Sequence, residues 1–174
     1  MEYMSPEHKQ SLRLFDSMWK TLDGLDDLAK QYDINDITMD CNLKLLQTLI
    51  TFNLKKLPGR EGSDAEDEYG NKWELKTVNL RLTKSFSTNH HTTYDIINAF
   101  RSERWLFSVY DGITLIEAYA LTADKLEPYF TKWEEKLNTG VSHINNPKIP
   151  LKFVQANGVK VYPISDPPIN PADI

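Results

Sequence analysis

The chain contains a single cysteine, Cys41, so no internal disulfide can form and the fold must rest on packing rather than cross-links. That usage fits a reducing cytosol, and nothing near Cys41 supplies the partners of a catalytic thiol. No run of about 18 apolar residues occurs, which excludes a membrane-spanning helix. The opening residues MEYMSPEHKQ lack the basic-then-apolar pattern of an export signal. Positive charge is also in deficit, 20 Lys and Arg against 25 Asp and Glu for a net charge of −5. That sum argues against a nucleic-acid partner. Histidine is scarce, and His8 and His143 lie far in sequence from His90-His91, so a zinc set is not visible. No internal repeat or second domain appears.

What is present suits one domain. With 174 residues, 40% hydrophobic and 26% charged, the chain can bury a substantial core. The distribution of charge matters more than its sum. Cys41 to Arg60 carries Lys44, Lys55, Lys56 and Arg60 and no acid. Lys72 to His91 carries Lys72, Lys76, Arg81 and Lys84 against Glu74 alone. Ser142 to Ser165 carries Lys148, Lys152 and Lys160 and no acid. Such segments can line one cleft and meet phosphates, although solvated surface charge explains each of them equally well.

The most informative stretch runs from Leu57 to Val78, LPGREGSDAEDEYGNKWELKTV. Acids crowd its first half (Glu61, Asp64, Glu66, Asp67, Glu68), and Gly70-Asn71 marks a turn. Lys72 to Val78 then alternates like a strand with one buried face, Trp73, Leu75 and Thr77 on one side and Glu74 and Lys76 on the other. The latter two stand about 7 Å apart along a strand. A fold-back at Gly70-Asn71 brings Asp64 towards Glu74. Two carboxylates beside one lysine can hold Mg²⁺ through oxygen and act on a bound water. A surface hairpin with one ion pair fits the spacing equally well. An EF-hand loop does not, because Tyr69 and Leu75 stand where Gly and Glu are required.

Asp64, nine residues, then Glu74-Leu75-Lys76 has the form of the PD-(D/E)XK nuclease motif, with Ser63 in place of its proline. The surroundings are more specific. Leu57 to Gly62 with Asp64-Ala65, then Leu82 to Lys84, Phe86 to Thr88, His90-His91 and Ile144 to Pro150 resemble the PvuII family of type II restriction endonucleases. The likeness runs from about Leu12 to Tyr162 with nearly unchanged spacing.

The resemblance implies an α/β (mixed α+β) chain of the PD-(D/E)XK restriction-endonuclease-like fold, a central mixed β-sheet flanked by helices with an N-terminal dimerisation helix. One endonuclease domain is expected over 1–164, with 5–40 for dimerisation, 41–137 as catalytic core and 138–164 for DNA recognition. Residues 165–174 (SDPPINPADI) have no counterpart in the family and are expected to form a mobile tail.

In chain order, Ser5-Pro6-Glu7 reads as a helix start. Leu12, Phe15, Trp19, Leu22 and Leu25 follow at helical spacing, weakened at Gly24. Tyr32 to Asn42 is polar and turn-rich. Leu43 to Leu54 predicts a second helix that Pro58-Gly59 ends. Leu80 to Thr88 is expected to be extended and Tyr94 to Phe100 helical. Trp105 to Tyr110 and Ile113 to Tyr119 predict strands joined at Asp111-Gly112. Thr122 to Leu137 predicts a helix whose aromatic face is core, and Lys152 to Tyr162 a hairpin around Asn157-Gly158.

The resemblance also assigns roles. Asp64 and Glu74 would ligate Mg²⁺ with the Leu75 carbonyl as an extra ligand. Mn²⁺ would substitute, and Ca²⁺ would support binding only. Lys76 would orient or deprotonate the attacking water, or stabilise charge at phosphorus. Acting as a base requires it to lose its proton, which neighbouring carboxylates oppose, so charge stabilisation is the expected role. Glu61 would serve a second metal or support the first.

Asp40, Ser87, Asn89, His90, His91, Asn145, Asn146 and Lys148 are the DNA-binding candidates. A ring N–H of His90 or His91 suits the acceptors of guanine, and Asn145 and Asn146 suit adenine. Asn89 replaces a third histidine of the family. Phe100 replaces a tyrosine near the metal and so removes a hydroxyl.

The implied activity is Mg²⁺-dependent cleavage of both strands of a palindrome in double-stranded DNA, CAGCTG cut to blunt ends, by a homodimer. The host would be a prokaryotic cytoplasm that also holds a matching DNA methyltransferase. A catalytically silent DNA-binding protein of the same fold is the alternative, which intact Asp64, Glu74 and Lys76 disfavour.

Overall fold

The computed structural model describes residues 6–39, 41–58 and 62–163. Ser5, Asp40, Glu61 and the 165–174 segment lie outside the described residues, as do the side chains of Leu12 and Trp19. Chain contacts separate Met1–Leu46 from Gln47–Ile174.

The first unit is built on α1 (Pro6–Lys30), which continues through Gly24 without a break. Leu14, Phe15 and Met18 are exposed on it. Turns follow as expected, one using Asp33 at φ +56°, and Ile34 and Ile37 are buried among the polar residues around them.

The unit boundary falls within α2 (Asn42–Thr51). This helix ends earlier than Pro58-Gly59. Asn53 turns into the left-handed region at φ +50°, and the Leu54 amide closes onto the Leu49 carbonyl at 2.9 Å, a C-terminal cap that needs no proline. The chain then enters β1 (Lys55–Lys56).

The second unit is organised by a six-stranded sheet in the order β1-β2-β3-β5-β6-β8. Its strands are β1, β2 (Ala65–Glu66), β3 (Lys72–Asn79), β5 (Arg104–Asp111), β6 (Thr114–Thr122) and β8 (Val159–Tyr162). Only β3 and β5 pair in parallel, and the remaining neighbours are antiparallel. The crossover between β3 and β5 carries β4 (Ser85–Ser87) and α3 (Tyr94–Phe100), as a parallel pair requires a long connection. Helix α4 (Ala123–Leu137) follows β6 and buries Leu126, Phe130, Trp133 and Leu137. These join Val78, Trp105, Phe107 and Val109 of the strands in one apolar core.

Two expectations are corrected. Residues 80–84 form a turn, with the Leu82 and Thr83 amides both on the Asn79 carbonyl, and only Ser85–Ser87 is extended. Lys152 to Tyr162 is not a hairpin. It is helix α5 (Leu151–Asn157) running into β8, because Leu151 and Val154 lie one helical turn apart and both bury. Gly158 permits the change of direction. A Cβ there would lie 2.5 Å from Leu121 Cδ1 and 2.8 Å from the Val154 carbonyl.

Candidate active site

The fold-back at Gly70-Asn71 takes place. Gly70 adopts φ +81°, and β2 pairs with β3 at Ala65↔Trp73 and Glu66↔Lys72. Asp67 locks the turn by accepting the Tyr69 and Asn71 amides and Trp73 Nε1 at 2.9–3.0 Å. Glu66 pairs with Lys72 at 2.7 Å and Lys55 at 3.5 Å. These two acids of the cluster are thus occupied in holding the hairpin.

Asp64 stands just ahead of β2. Its amide donates to the Trp73 carbonyl at 3.0 Å, and its Oδ2 accepts the Leu75 amide at 2.8 Å. Backbone N–H and C=O of one strand residue leave on the same side, so the Leu75 carbonyl points to the edge where Asp64 ends. Beyond Trp73, β2 no longer covers that edge. An Asp64 carboxylate still 43% exposed and an edge carbonyl therefore share one side of β3.

Glu74 and Lys76 leave β3 on one face, and that face is not the solvent side the alternation predicted. Register places Glu74 opposite Trp105, Lys76 opposite Phe107 and Val78 opposite Val109, so the ion pair sits at the margin of the main apolar core. Glu74 is 5% exposed and accepts from Lys76 Nζ, which also lies 3.9 Å from Asp64 Oδ2. Burial pushes the Glu74 carboxyl up to about 8, overcoming the opposing pull of Lys76, and the charges of Asp64 and Glu103 push the same way. Phe100 lies behind, buried with its ring edge-on to Trp105 and centroids 4.8 Å apart, so this side chain is packed as core.

The donor set fits a divalent cation. Asp64 and Glu74 offer hard anionic oxygen and Leu75 a carbonyl, all three suited to Mg²⁺. A raised carboxyl proton affinity and a carboxylate excess over the one lysine are what an added dication would relieve. Among the described residues no group of three His, Cys, Asp or Glu side chains gathers closely enough to hold an ion, so the Leu75 carbonyl and solvent would complete the shell.

A second cluster forms on a two-stranded sheet of β4 and β7 (Lys148–Pro150), paired Phe86↔Ile149 and Ser87↔Lys148. Phe86 and Ile149 bury into the core. Strand alternation turns Ser87 and Lys148 outward, where Lys148 Nζ donates to Ser87 Oγ. The loops beyond are stitched together. The Asn146 amide reaches the Asn89 carbonyl at 2.9 Å, and Thr92 and Ile144 exchange backbone hydrogen bonds. Asn89 Oδ1 takes the His91 amide at 2.8 Å. Asn146 adopts φ +47°, a conformation asparagine tolerates better than most residues. Ser87, Asn89, His90, His91, Asn145, Asn146 and Lys148 therefore share one double loop.

Sequence reasoning missed two neighbours. His143 lies with its ring 4.3 Å from His91, a contact set up by the adjacent Thr92↔Ile144 bridge. Glu103, buried at 6% exposure, accepts Ser63 Oγ at 2.8 Å. It precedes β5 within an ordinary charged run, and no motif signals it.

The basic segments are less free than their composition implied. Lys55 and Lys72 pair with Glu66, Lys76 with Glu74, Arg81 with Asp111 and Lys160 with Glu117. Some of these acids are near in sequence, as Glu74 is to Lys76, and others distant, as Glu117 is from Lys160. Cys41 is exposed and unpaired with any other cysteine.

The family model for "Restriction endonuclease PvuII" matches residues 9–162 of the 174-residue chain.

Proposed function

Because the chain belongs to the PvuII restriction endonuclease family and is a type II restriction endonuclease, we propose that it cuts both strands of CAGCTG to blunt ends in a Mg²⁺-dependent reaction at Asp64, Glu74 and Lys76. Juxtaposition of these three side chains, with the Leu75 amide tying Asp64 to the strand that bears the other two, is the observation that carries the reading.

A bound Mg²⁺ would supply electrophilic assistance at the scissile phosphate and a more acidic attacking water. The residues do the rest. Asp64 and Glu74 hold the cation, and the Leu75 carbonyl adds a neutral ligand. The Lys76 ammonium, on β3 opposite Phe107 and beside both carboxylates, would stabilise the negative charge that develops at the phosphate. Mn²⁺ should replace Mg²⁺. Ca²⁺ should support binding without cutting.

For recognition, His90 and His91 would donate to guanine N7 or O6, and Asn145 and Asn146 would each bond both polar atoms of adenine's major-groove edge. Ser87 and Lys148 lie on the outer face of the same sheet and suit backbone phosphates. A palindrome calls for two-fold symmetry. Exposed Leu14 and Met18, each 62% accessible and one helical turn apart, together with Phe15 supply an apolar stripe on α1 for a second copy. Asp40 and Glu61 retain their proposed roles in DNA binding and at the metal. A DNA methyltransferase in the same cytoplasm would protect the host.

Digestion of a fully sequenced plasmid, with fragment ends sequenced and an EDTA control, tests this reading. Blunt ends at CAGCTG are expected in Mg²⁺ and no cutting in EDTA. Discrete ends elsewhere would discard the assigned base contacts. EDTA-resistant cutting would discard the metal.

A further inference from the structure

Glu103 belongs to neither the motif nor the base-reading loop, yet it is almost wholly enclosed. One carboxylate oxygen takes the Ser63 hydroxyl at 2.8 Å. The other, Oε2, is buried with no hydrogen-bond partner among the described residues. Burying a carboxylate without full pairing is unfavourable, and proteins keep such groups where they serve a site. The surroundings indicate which site. Ser63 is joined directly to Asp64, and the parallel register Trp73↔Arg104 and Glu74↔Trp105 places Glu103 at the head of β5, beside the strand that carries Glu74.

We propose that Glu103 is a positioning residue of the cation site: through Ser63 it fixes the peptide that carries Asp64, and its charge, added to those of Asp64 and Glu74, raises affinity for a divalent cation. The inference rests on the reading of Asp64 and Glu74 as cation ligands. Glu103 acts from outside the ligand shell, since it forms no close three-carboxylate group with them among the described residues. Electrostatic support of this kind operates over several ångströms where burial keeps water from screening it.

Glu103→Gln separates the two functions of the side chain. Glutamine keeps the shape and an acceptor for Ser63 but removes the charge. Ca²⁺ binding measured by calorimetry without DNA should weaken roughly five- to thirtyfold. The melting temperature in EDTA should hold or rise, because a buried, half-paired charge has gone. A residue that merely supported the fold would lower both together.

Unchanged Ca²⁺ affinity overturns the proposal, and so does a variant that melts earlier or fails to fold. Ser63→Ala, which keeps the charge and cuts the tether, should also weaken Ca²⁺, and unchanged affinity there removes the tether from the account. Glu74→Gln distinguishes failure of the underlying reading. If it leaves Ca²⁺ binding intact, the cation site itself is misassigned. If it abolishes binding while Glu103→Gln changes nothing, only the role of Glu103 fails.

Discussion

The Leu75 amide donates to Asp64 Oδ2 across 2.8 Å, so the two halves of the motif are held together by a hydrogen bond between the first carboxylate and the strand carrying the second. Asp64 is therefore already oriented for the cation site proposed here. This preorganisation lowers the ordering cost of binding. The same bond explains why Asp64 sits outside the regular β2–β3 ladder: its side chain takes the place of a strand partner for Leu75.

The Glu74 carboxyl makes stability depend on pH in a definite direction. Its proton affinity is raised from 4.5 to about 8 in the folded protein, chiefly by burial. The stability it contributes is thus fully present below about pH 4.5 and is lost as pH rises through about 8. Glu74→Gln should therefore melt higher than the wild-type protein in EDTA at pH 9, with the gap shrinking towards pH 5. A gap independent of pH would show that Glu74 does not titrate in that window.

Arg101 links α3 to α4. Its guanidinium reaches Glu127 at 2.7 Å and Glu134 at 2.6 Å and lies over the Phe130 ring at 5.7 Å. Arg101→Ala leaves two acids on one helix face without their cation. About 1–2 kcal/mol should be lost, given the partial exposure, which is a fall of a few degrees in melting temperature. Because solvent-exposed pairs are screened, the loss should be smaller in 1 M salt.

Gly158 is fixed by close approach rather than by backbone angle. A methyl group would collide with Leu121 Cδ1 and the Val154 carbonyl, forcing α5 away from β6. Gly158→Ala should cost about 1–3 kcal/mol in urea unfolding. A neutral result would mean that α5 and β6 part without cost.

Asn146 has an unusual backbone conformation and a proposed base-reading side chain, which substitution can separate. Its φ of +47° suits glycine, so Asn146→Gly should keep the melting temperature. Loss of the side chain should nevertheless lower discrimination for the cognate duplex about tenfold or more. Asn146→Ala should lose both, with about 1 kcal/mol of stability. Retained discrimination in the glycine variant, measured by competition with a scrambled duplex, would free Asn146 from base reading.

Much of this arrangement was legible in the sequence for identifiable reasons. Gly70-Asn71 and Asp111-Gly112 carry turn chemistry that is local, and both turns form where expected. The Tyr94–Phe100 helix and the aromatic face of α4 follow from spacing. What local pattern misread was set by long-range packing. Glu74 and Lys76 alternate like surface residues, but β5 and its Trp105 and Phe107 bring the core up to them. The asparagine and glycine at 157–158 look like a hairpin turn, yet buried Leu151 and Val154 make the preceding segment a helix. Glu103 and His143 gain their neighbours through long-range backbone pairing, which no short motif records.

Lys76→Ala tests the central assignment most directly, because it removes the charge proposed to act at the phosphate while sparing the proposed cation ligands and the proposed base-reading loop. Cutting of a CAGCTG duplex in Mg²⁺ should fall by at least about a thousandfold, while salt-sensitive binding of the same duplex in Ca²⁺ persists over a scrambled one. Cutting at an undiminished rate would contradict the account and place the chemistry elsewhere on the molecule.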